Sequence, residues 1–303
     1  MEIAQTDHLA GAPGMNLYFF SGTGNSLFVA RELQKRFPET ALIPIACLLD
    51  REVIAIEGET VGLVFPIHGM SLPIPIRLLL EKATWESPRY VFAIATRGGT
   101  VFTGFKRIDR VLRKWGKRLD ASFALTMLNN DPKFKTYPVA TPDAIAKSES
   151  EVRERLDTIQ HVIAGRFSFQ EADIQGVTFP TILPVRIALE WLVRLGMAMV
   201  ERTGVTDYFY ADEKCTRCGT CEKVCSSRKV CVTGEGPVWQ DRVKCYFCYA
   251  CLNYCPTQAV QIKSKWYMKS YTERNGRYPH PWATVKDLAG QKDRANPGTP
   301  AAG

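Results

Sequence analysis

The sequence has no apolar run that could cross a membrane and no visible export signal. The nearest candidate for a span, Val185–Val200, is interrupted by Arg186, Glu190 and Arg194, and a span needs about 18 or more apolar residues. No transmembrane segment is therefore predicted. No secretory signal is visible in Met1–Gly14, which favours a cytoplasmic location and reduced cysteines.

Motifs for binding nucleic acid are also lacking, and the bulk composition is ordinary. Basic residues are spread along the chain, so nucleic acid is not an expected partner. The apolar fraction of 46% is normal for a globular protein, and the net formal charge of +8 favours an acidic partner. A length of 303 residues predicts about two domains.

Cysteine is abundant and regularly spaced, because eight of the 10 cysteines form two copies of the pattern C-x2-C-x2-C-x3-C. The copies are Cys215, Cys218, Cys221 and Cys225, followed by Cys245, Cys248, Cys251 and Cys255. Such a run brings thiolates together from one short segment, as a [4Fe–4S] cluster requires. Zinc sites usually have two C-x2-C pairs without a third close cysteine. We therefore predict two [4Fe–4S] clusters and a role in electron transfer.

The segment Thr206–Ile262 resembles bacterial two-cluster ferredoxins, in which the fourth cysteine of each run binds the other cluster. The resemblance implies a first cluster held by Cys215, Cys218, Cys221 and Cys255 and a second cluster held by Cys225, Cys245, Cys248 and Cys251. Ser226, rather than the proline of that family, follows Cys225, which removes no ligand. The remaining cysteines, Cys47 and Cys231, are expected to be small buried hydrophobic residues.

Strand-like apolar runs alternate with helical patterns over the first half of the chain. The predicted strands are Met15–Phe20, Thr40–Ala46, Val61–Pro66, Tyr90–Thr96 and Ala121–Leu128. Helices are predicted over Ser26–Phe37, Ser71–Lys82 and Lys106–Arg118, and from a capping Thr141 to about Gly165. This alternation predicts an α/β fold with a parallel sheet that is covered on both faces.

The turn after the first strand reads Ser21-Gly22-Thr23-Gly24-Asn25-Ser26. Hydroxyl side chains alternate with glycines, and the helix that follows presents free N–H groups, so the turn can hold a phosphate without a lysine. It lacks the lysine of nucleotide-hydrolysing loops. It also fails the dinucleotide motif G-x-G-x-x-G, because Leu27 stands at the third glycine position.

This turn is similar to the phosphate loop of flavodoxins, and the resemblance covers about Met15–Arg166. It implies a doubly wound sheet of five strands in the order 2-1-3-4-5, with FMN at the carboxyl edge of the strands. Two further loops, Pro66-Ile67-His68-Gly69-Met70 and Thr96-Arg97-Gly98-Gly99-Thr100, would frame the flavin ring. Flavodoxins usually place aromatic side chains there, whereas this chain has His68, Met70 and Arg97. His68 and Arg97 are therefore candidate residues beside the flavin, and the family implies that the Gly69 carbonyl can turn toward flavin N5.

The two halves together resemble flavodoxin–ferredoxin fusion proteins, which occur mainly in anaerobes. That family is similar at Asn129-Asn130 and at Arg277-Tyr278-Pro279-His280-Pro281, which implies positions near the flavin or the domain interface. The expected organisation is a loose leader (1–13), a flavodoxin-like domain (14–170), a connecting segment with an apolar helix (171–204), a small α+β two-cluster ferredoxin domain (205–262) and a basic, aromatic tail with a disordered end (263–303). The apolar helix is expected to be buried between the domains rather than to lie on a membrane.

These patterns predict an iron–sulfur flavoprotein that passes electrons between two [4Fe–4S] clusters and FMN, linking one-electron ferredoxin-type carriers to a flavin. One alternative is a flavin-dependent reductase that acts directly on a small substrate or on NAD(P)H, and another is a redox or iron sensor. The expected partner is an acidic ferredoxin or a downstream oxidoreductase. The basic run Lys106–Arg118 is either a solvated face or the docking surface for such a carrier.

Overall fold

The computed structural model describes residues 15–99, 104–171, 207–266 and 268–293, together with isolated residues between 188 and 199. The expected leader, Thr100, most of the connecting segment and the end of the tail lie outside these residues.

Eight strands occupy the first half of the chain. They are β1 (Met15–Phe19), β2 (Ala41–Pro44), β3 (Ile54–Ala55), β4 (Thr60–Pro66), β5 (Ala83–Thr84), β6 (Tyr90–Arg97), β7 (Ala121–Thr126) and β8 (Phe169–Gln170). Six of them form one parallel sheet in the order β2-β1-β4-β6-β7-β8, and β3 pairs with β5. The prediction of five strands was one short, because β8 is two exposed residues long and carries no periodic signal.

Four α-helices among the described residues pack on this sheet, and the local sequence determines the residue at which each helix begins. They are α1 (Asn25–Arg36), α2 (Ile74–Lys82), α3 (Phe105–Arg113) and α4 (Pro142–Ala164). The predicted cap of α4 is confirmed, because Thr141 Oγ1 accepts a hydrogen bond from the Ala144 N–H at 3.2 Å. Helix α2 begins later than predicted, because Ser71 is held in a turn with His68. Helix α3 ends before the predicted Arg118, and Gly116 has a φ of 67° in the turn that follows it.

The helices cover both faces of the sheet. Alternate residues of β1 enter different apolar cores: Leu17 joins a core with α1 and α4, whereas Tyr18 joins one with α2 and α3. The doubly covered α/β fold predicted from the alternating pattern is therefore present. Its sheet places the ends of β1, β4, β6 and β7 at one edge.

The cysteine-rich unit is a structural duplication. It consists of β9 (Phe209–Ala211), α5 (Thr220–Lys223), β10 (Val230–Thr233), β11 (Gly236–Trp239), α6 (Ala250–Asn253) and β12 (Val260–Ile262). Strand β9 pairs with β12 and β10 with β11, both antiparallel. Positive φ angles occur at Arg217, Gly219 and Arg228, and again at the equivalent positions Phe247, Tyr249 and Gln258. The sequence separation within each equivalent pair equals the separation between Cys215 and Cys245. The two cysteine runs thus share one backbone path, as well as one spacing.

The residues after β12 fold back over the first half of the chain. Helix α7 (Val285–Gly290) begins at a capping box in which Thr284 and Asp287 bond each other's backbone N–H groups. His280, Leu288 and Gln291 are buried. We call residues 277–293 the strap. The expected basic, aromatic tail thus includes a described segment that contacts residues distant in the sequence, such as Ser21 and Thr23.

The connecting segment is described only at Ala188, Trp191, Leu192, Leu195, Gly196 and Met199, all of which are exposed. The expected burial of its helix between the domains concerns residues that lie mostly outside the described part of the chain. Among the described residues, no helix is both long and apolar enough to span a membrane.

Candidate functional site

The predicted phosphate loop connects β1 to α1 and is buried at every position from Ser21 to Ser26. Gly24, with a φ of 104°, lets the chain turn into the helix. The Gly24 N–H donates to Ser21 Oγ at 3.1 Å, and Ser26 Oγ lies 2.8 Å from Thr96 Oγ1. The last contact joins the phosphate loop to the end of β6, so these two predicted flavin segments lie together.

The strap covers the phosphate loop. The Gln291 side chain bonds the Ser21 backbone in both directions, accepting from its N–H and donating to its carbonyl oxygen, each at 2.9 Å. The His280 N–H donates to the Thr23 carbonyl oxygen at 2.8 Å. A Cβ atom on Gly24 would meet Cβ atoms of His280 and Ala283. The loop shape therefore depends on residues at the far end of the chain.

The loop of the second cysteine run also reaches the phosphate loop. A Cβ atom on Gly22 would lie 2.8 Å from Cys248 Cβ and would overlap the Cys248 carbonyl oxygen. The Phe20 ring packs edge-on against Tyr246, with 6.2 Å between ring centroids. The segment that carries Cys245 and Cys248 is thus in direct contact with the predicted FMN site.

The loop after β4 contains an unusual turn. His68 and Ser71 exchange backbone hydrogen bonds, and both residues between them have positive φ, 51° at Gly69 and 62° at Met70. Met70 is a non-glycine residue in this region and is buried. Strained backbone of this kind is concentrated at ligand sites.

His68 is half-buried, and its imidazole is neutral. Burial lowers the pKa of its imidazole to about 4, against the opposing effect of a hydrogen bond to the Tyr246 backbone. Its Nδ1 atom is buried and has no hydrogen-bond partner among the described residues. The hydrogen bond between His68 and the Tyr246 backbone joins the loop after β4 to the segment of the second cysteine run. Among the described residues, Nδ1 is left as an unused acceptor.

The loop after β6 is less open than expected. Arg97 is 8% exposed and donates from Nε to Thr126 Oγ1 at 3.3 Å. A Cβ atom on Gly98 would lie 3.2 Å from Asn129 Cβ, and the neighbouring Asn130 donates to Thr23 Oγ1. The asparagine pair therefore lies among the predicted flavin loops, and Arg97 points its guanidinium into the protein's own contacts.

The side chains around the phosphate loop suit FMN. Asn25 Oδ1 and His68 Nδ1 are buried acceptors that have no hydrogen-bond partner among the residues that the structure describes, and a flavin offers ribityl hydroxyl and ring N–H donors. The glycines at positions 22 and 24 bring the backbone close where a phosphate would be held. We conclude that Ser21–Ser26, Asn130 and His68 could hold FMN.

The sequence pattern did not reveal Lys133 or Gln291. Lys133 donates to Asp131 Oδ2 at 2.5 Å and to the Tyr249 hydroxyl at 3.0 Å, and that hydroxyl lies 3.0 Å from the Tyr208 hydroxyl. Its position shortly after the asparagine pair was the one available signal. No local signal existed for Gln291, whose partner Ser21 is 270 residues away.

The cysteines fall into two electrostatic groups. Burial raises the pKa of Cys221 to about 11, with smaller contributions from Cys255 and Cys215. Burial likewise raises the pKa of Cys245 to about 12, with contributions from Cys248 and Cys225. Cys225 also adds to the pKa rise of Cys251. The fourth cysteine of each run thus acts on thiols of the other run.

The surroundings of these thiols suit bound iron. Backbone N–H groups approach two sulfurs, with Phe247 N 3.4 Å from Cys245 Sγ and Ala259 N 3.2 Å from Cys255 Sγ, and such contacts stabilise a ligated thiolate. In the described ranges, no group of three or more His, Cys, Asp or Glu side chains is arranged to hold a single metal ion. A four-iron cluster makes a different demand, because each thiolate binds a separate corner. Cys47 is buried, as predicted, whereas Cys231 is half-buried in β10.

The two predicted ligand sets differ in exposure, because Cys225 and Cys251 of the second set are both buried, whereas the first set contains the exposed Cys218. Cys218 is exposed, and Glu213, Lys214 and Arg217 beside it are exposed as well. Cys251 is buried, and the segment from Tyr246 to Tyr249 is covered by the first half of the chain. Cys218 therefore faces outward, and the segment from Tyr246 to Tyr249 faces the predicted flavin site.

Comparison with known proteins finds similarity in part of the chain only. No family model matches, and no curated protein matches. Rubredoxin oxygen:oxidoreductase from Desulfovibrio gigas aligns at 14% identity and a TM-score of 0.34, over 52% of this chain and 37% of its own length, so the match spans little more than a third of that protein. A flavoprotein from Bacteroides uniformis aligns at 15% identity and a TM-score of 0.33, over 49% of this chain and 99% of its own. An FMN-dependent NADH-azoreductase from Bacillus anthracis aligns at 11% identity and a TM-score of 0.33, over 48% and 99%.

Proposed function

We propose that this chain is an iron–sulfur flavoprotein that passes electrons between two [4Fe–4S] clusters and FMN. The first cluster is held by Cys215, Cys218, Cys221 and Cys255, and the second by Cys225, Cys245, Cys248 and Cys251. FMN is held by the phosphate loop and framed by the loops after β4 and β6.

The observation that carries this proposal is the contact between Gly22 and Cys248. Only a glycine leaves room for the Cys248 carbonyl at that point of the phosphate loop. Electron transfer between two centres requires that they be close, and a fixed contact replaces a bimolecular encounter with an intramolecular step. The chain thus supports direct exchange between the second cluster and the flavin.

The proposed order of electron transfer among the clusters and FMN follows from the solvent exposure of the cysteine ligands. A bound flavin supplies the conversion between one-electron and two-electron transfer, and each cluster holds one electron at a time. Because Cys218 is exposed, the first cluster would lie where a soluble carrier can approach, and the covered segment from Tyr246 to Tyr249 would keep the second cluster inside. We propose the sequence carrier, first cluster, second cluster, FMN, or its reverse.

The partner is proposed to be a one-electron carrier such as an acidic ferredoxin, or a downstream oxidoreductase. Helix α3 buries Phe105, Ile108 and Leu112 and presents Lys106 and Arg110 to solvent. Replacing Lys106, Arg110 and Lys114 with glutamate should slow reduction by an acidic carrier at low salt if α3 is the docking surface. An unchanged rate would leave α3 as a solvated face.

Anaerobic reconstitution tests the cofactors. The loaded protein should contain about eight iron atoms and one FMN per chain. Less iron together with no FMN would contradict the proposal.

Stopped-flow reduction then separates electron relay from direct reductase activity. Reduced ferredoxin should reduce the flavin rapidly, whereas NADH and NADPH should not. Rapid reduction by either nicotinamide would support the alternative of a flavin-dependent reductase. Arg97 argues against that alternative, because its Nε is engaged with Thr126 and its side chain is buried rather than free at an open flavin face.

A further inference from the structure

Two consecutive residues near the end of the strap bond two different predicted sites. The Gln291 side chain holds the Ser21 backbone of the phosphate loop through two hydrogen bonds of 2.9 Å. The next side chain, Lys292, donates from Nζ to the carbonyl oxygens of Glu222 at 2.8 Å and of Cys225 at 3.4 Å. The strap therefore joins the phosphate loop to the fourth cysteine of the first run.

Further bonds fix the backbone of Lys292 against the same turn. The Arg228 N–H donates to the Cys225 carbonyl oxygen at 3.0 Å, and Arg228 Nη2 donates to the Lys292 carbonyl oxygen at 2.8 Å. Arg228 Nη1 in turn lies 3.0 Å from Asp50 Oδ2. Both the side chain and the backbone of Lys292 are thus bonded to the turn that begins at Cys225, so a displacement of the strap end would displace that turn.

The phosphate loop also meets the second predicted ligand set at a point that the strap does not form. A Cβ atom on Gly22 would overlap the Cys248 carbonyl oxygen. Cys225 and Cys248 come from different runs but belong to the same predicted ligand set. The phosphate loop is therefore connected to the second predicted cluster site twice, directly at Cys248 and through the strap at Cys225.

The duplicated backbone shows that the lysine contact belongs to one fourth cysteine only. Cys255 is the equivalent of Cys225, and its carbonyl oxygen accepts the Gln258 N–H in the same type of turn. No side chain in the described ranges donates to the Cys255 carbonyl oxygen. The strap does reach the neighbouring Tyr254, whose hydroxyl donates to the Ala283 carbonyl oxygen at 2.9 Å, but that bond holds an adjacent side chain rather than the backbone of the predicted ligand.

We propose that Lys292 is a positioning residue that couples the second cluster to FMN. Because Lys292 holds the backbone of Cys225 while Gln291 holds the phosphate loop, order at one cofactor site lowers the cost of ordering the other. The coupling is reciprocal, so a filled second cluster site strengthens FMN binding by the same factor by which FMN strengthens the cluster site. This inference rests on the proposed function.

Flavin titrations of the protein with and without its clusters measure this coupling. The native chain, Lys292→Met and Lys292→Arg are reconstituted with iron and sulfide without oxygen and in the absence of flavin, and half of each preparation is then stripped of iron with a chelator. The dissociation constant of FMN is measured in both halves by flavin fluorescence. Lys286→Met, at an exposed lysine of α7, is the matched control, because it makes the same substitution within the strap.

Loss of the clusters should raise the dissociation constant of FMN by about tenfold in the native chain and by about threefold in Lys292→Met. Lys292→Met should bind FMN more weakly than the native chain only when the clusters are present. Lys292→Arg keeps donors for both carbonyl oxygens and should restore most of the effect, and Lys286→Met should match the native chain. The inference is overturned if the rise is equal in the native chain and in Lys292→Met, because the lysine would then have a structural role only.

Iron release gives the reciprocal measurement. In the native chain, FMN should slow the removal by the chelator of about four of the eight expected iron atoms. The same addition should slow the removal much less in Lys292→Met. Release that is independent of FMN in the native chain would contradict the coupling.

The proposed function fails separately. If the native chain takes up no clusters or no FMN, both the function and this inference are overturned. If it takes up all of these cofactors and binds FMN equally with and without the clusters, the inference alone is wrong. Should Lys292→Met not hold its clusters, Arg228→Gln decides instead, because it removes the bond to the Lys292 backbone and should likewise reduce the rise in the dissociation constant.

Discussion

The Cys248 carbonyl oxygen occupies the space that a Cβ atom on Gly22 would need. Gly22 belongs to the phosphate loop and Cys248 to the second cysteine run, so one missing methyl group permits contact between two sites that are far apart in the sequence. The resulting contact is the part of the fold on which the proposed electron transfer depends most directly.

Gly22→Ala should separate the two loops. We expect the free energy of unfolding to fall by about 1–3 kcal/mol, because the added methyl group meets rigid backbone, and we expect slower reduction of the flavin by the second cluster. Urea unfolding and stopped-flow absorbance measure these effects. Gly276→Ala is the control, since a Cβ atom there meets nothing within 4 Å. Equal behaviour of the two variants would show that the loops are not pressed together.

Paired cysteine substitutions test the crossed ligand sets. If Cys225 and Cys245 hold the same cluster, the double variant Cys225→Ser, Cys245→Ser should keep about four iron atoms. The double variant Cys215→Ser, Cys225→Ser should lose both clusters. The reverse result would mean that each run holds its own cluster.

The spare cysteine provides the matched control for that experiment. Cys231→Ser changes a half-buried thiol outside both runs, and it should retain all of the iron. Iron analysis and electron paramagnetic resonance provide the measurements.

Gln291→Leu should weaken FMN binding. The substitution removes both hydrogen bonds to the Ser21 backbone, and the phosphate loop should then lose its fixed shape. We expect the dissociation constant of FMN to rise by about tenfold, measured by flavin fluorescence on titration of the apoprotein. Gly290→Ala, which adds a methyl group in open space on the same helix, should bind FMN normally. Unaltered binding by Gln291→Leu would remove the strap from the cofactor site.

Buried histidine should make stability depend on pH. His280 is 1% exposed and stacks on Phe28 at 4.6 Å, and burial lowers its pKa to about 4 despite nearby Glu149. Because the unfolded chain binds this proton more readily, stability is complete above the ordinary pKa of about 6.5 and is lost as the pH falls toward 4.

The comparison is between the native protein and His280→Gln. From pH 7 to pH 5 the native protein should lose about 2 kcal/mol more of its unfolding free energy than the variant. Urea unfolding at both values measures the difference, and His161→Gln, at an exposed histidine, should follow the native curve. Parallel curves for native protein and His280→Gln would contradict the assigned pKa.

Local patterns predicted much of the architecture and the positions of the loops that follow β1, β4 and β6. Apolar runs and caps such as Thr141 depend on neighbours in the sequence, so the parallel sheet and the start of α4 could be predicted. The two residues of β8 and the Gln291–Ser21 pair could not be, because they are defined by partners that are distant in the chain. The same reason explains Arg97: its position in a loop was predictable, but its burial against Thr126 depends on the neighbouring strand.

The ion pair of Lys133 illustrates a different limit. Asp131 and Lys133 are separated by one residue, so their pairing is local. Their placement beside Tyr249 follows from the docking of the cysteine-rich unit, which no periodicity or spacing describes. The position of this ion pair beside Tyr249 is therefore a tertiary property of the chain.

The strap also sets an order of events during synthesis. Ser21 and Gln291 are separated by 270 residues, so at about 5–20 residues per second a ribosome needs roughly 15–50 seconds to make the second after the first. The central sheet can form in that interval, but the backbone of Ser21 lacks its amide partner throughout. We therefore expect flavin capture to follow translation of Gln291, so that the cofactor would enter a sheet that has already folded.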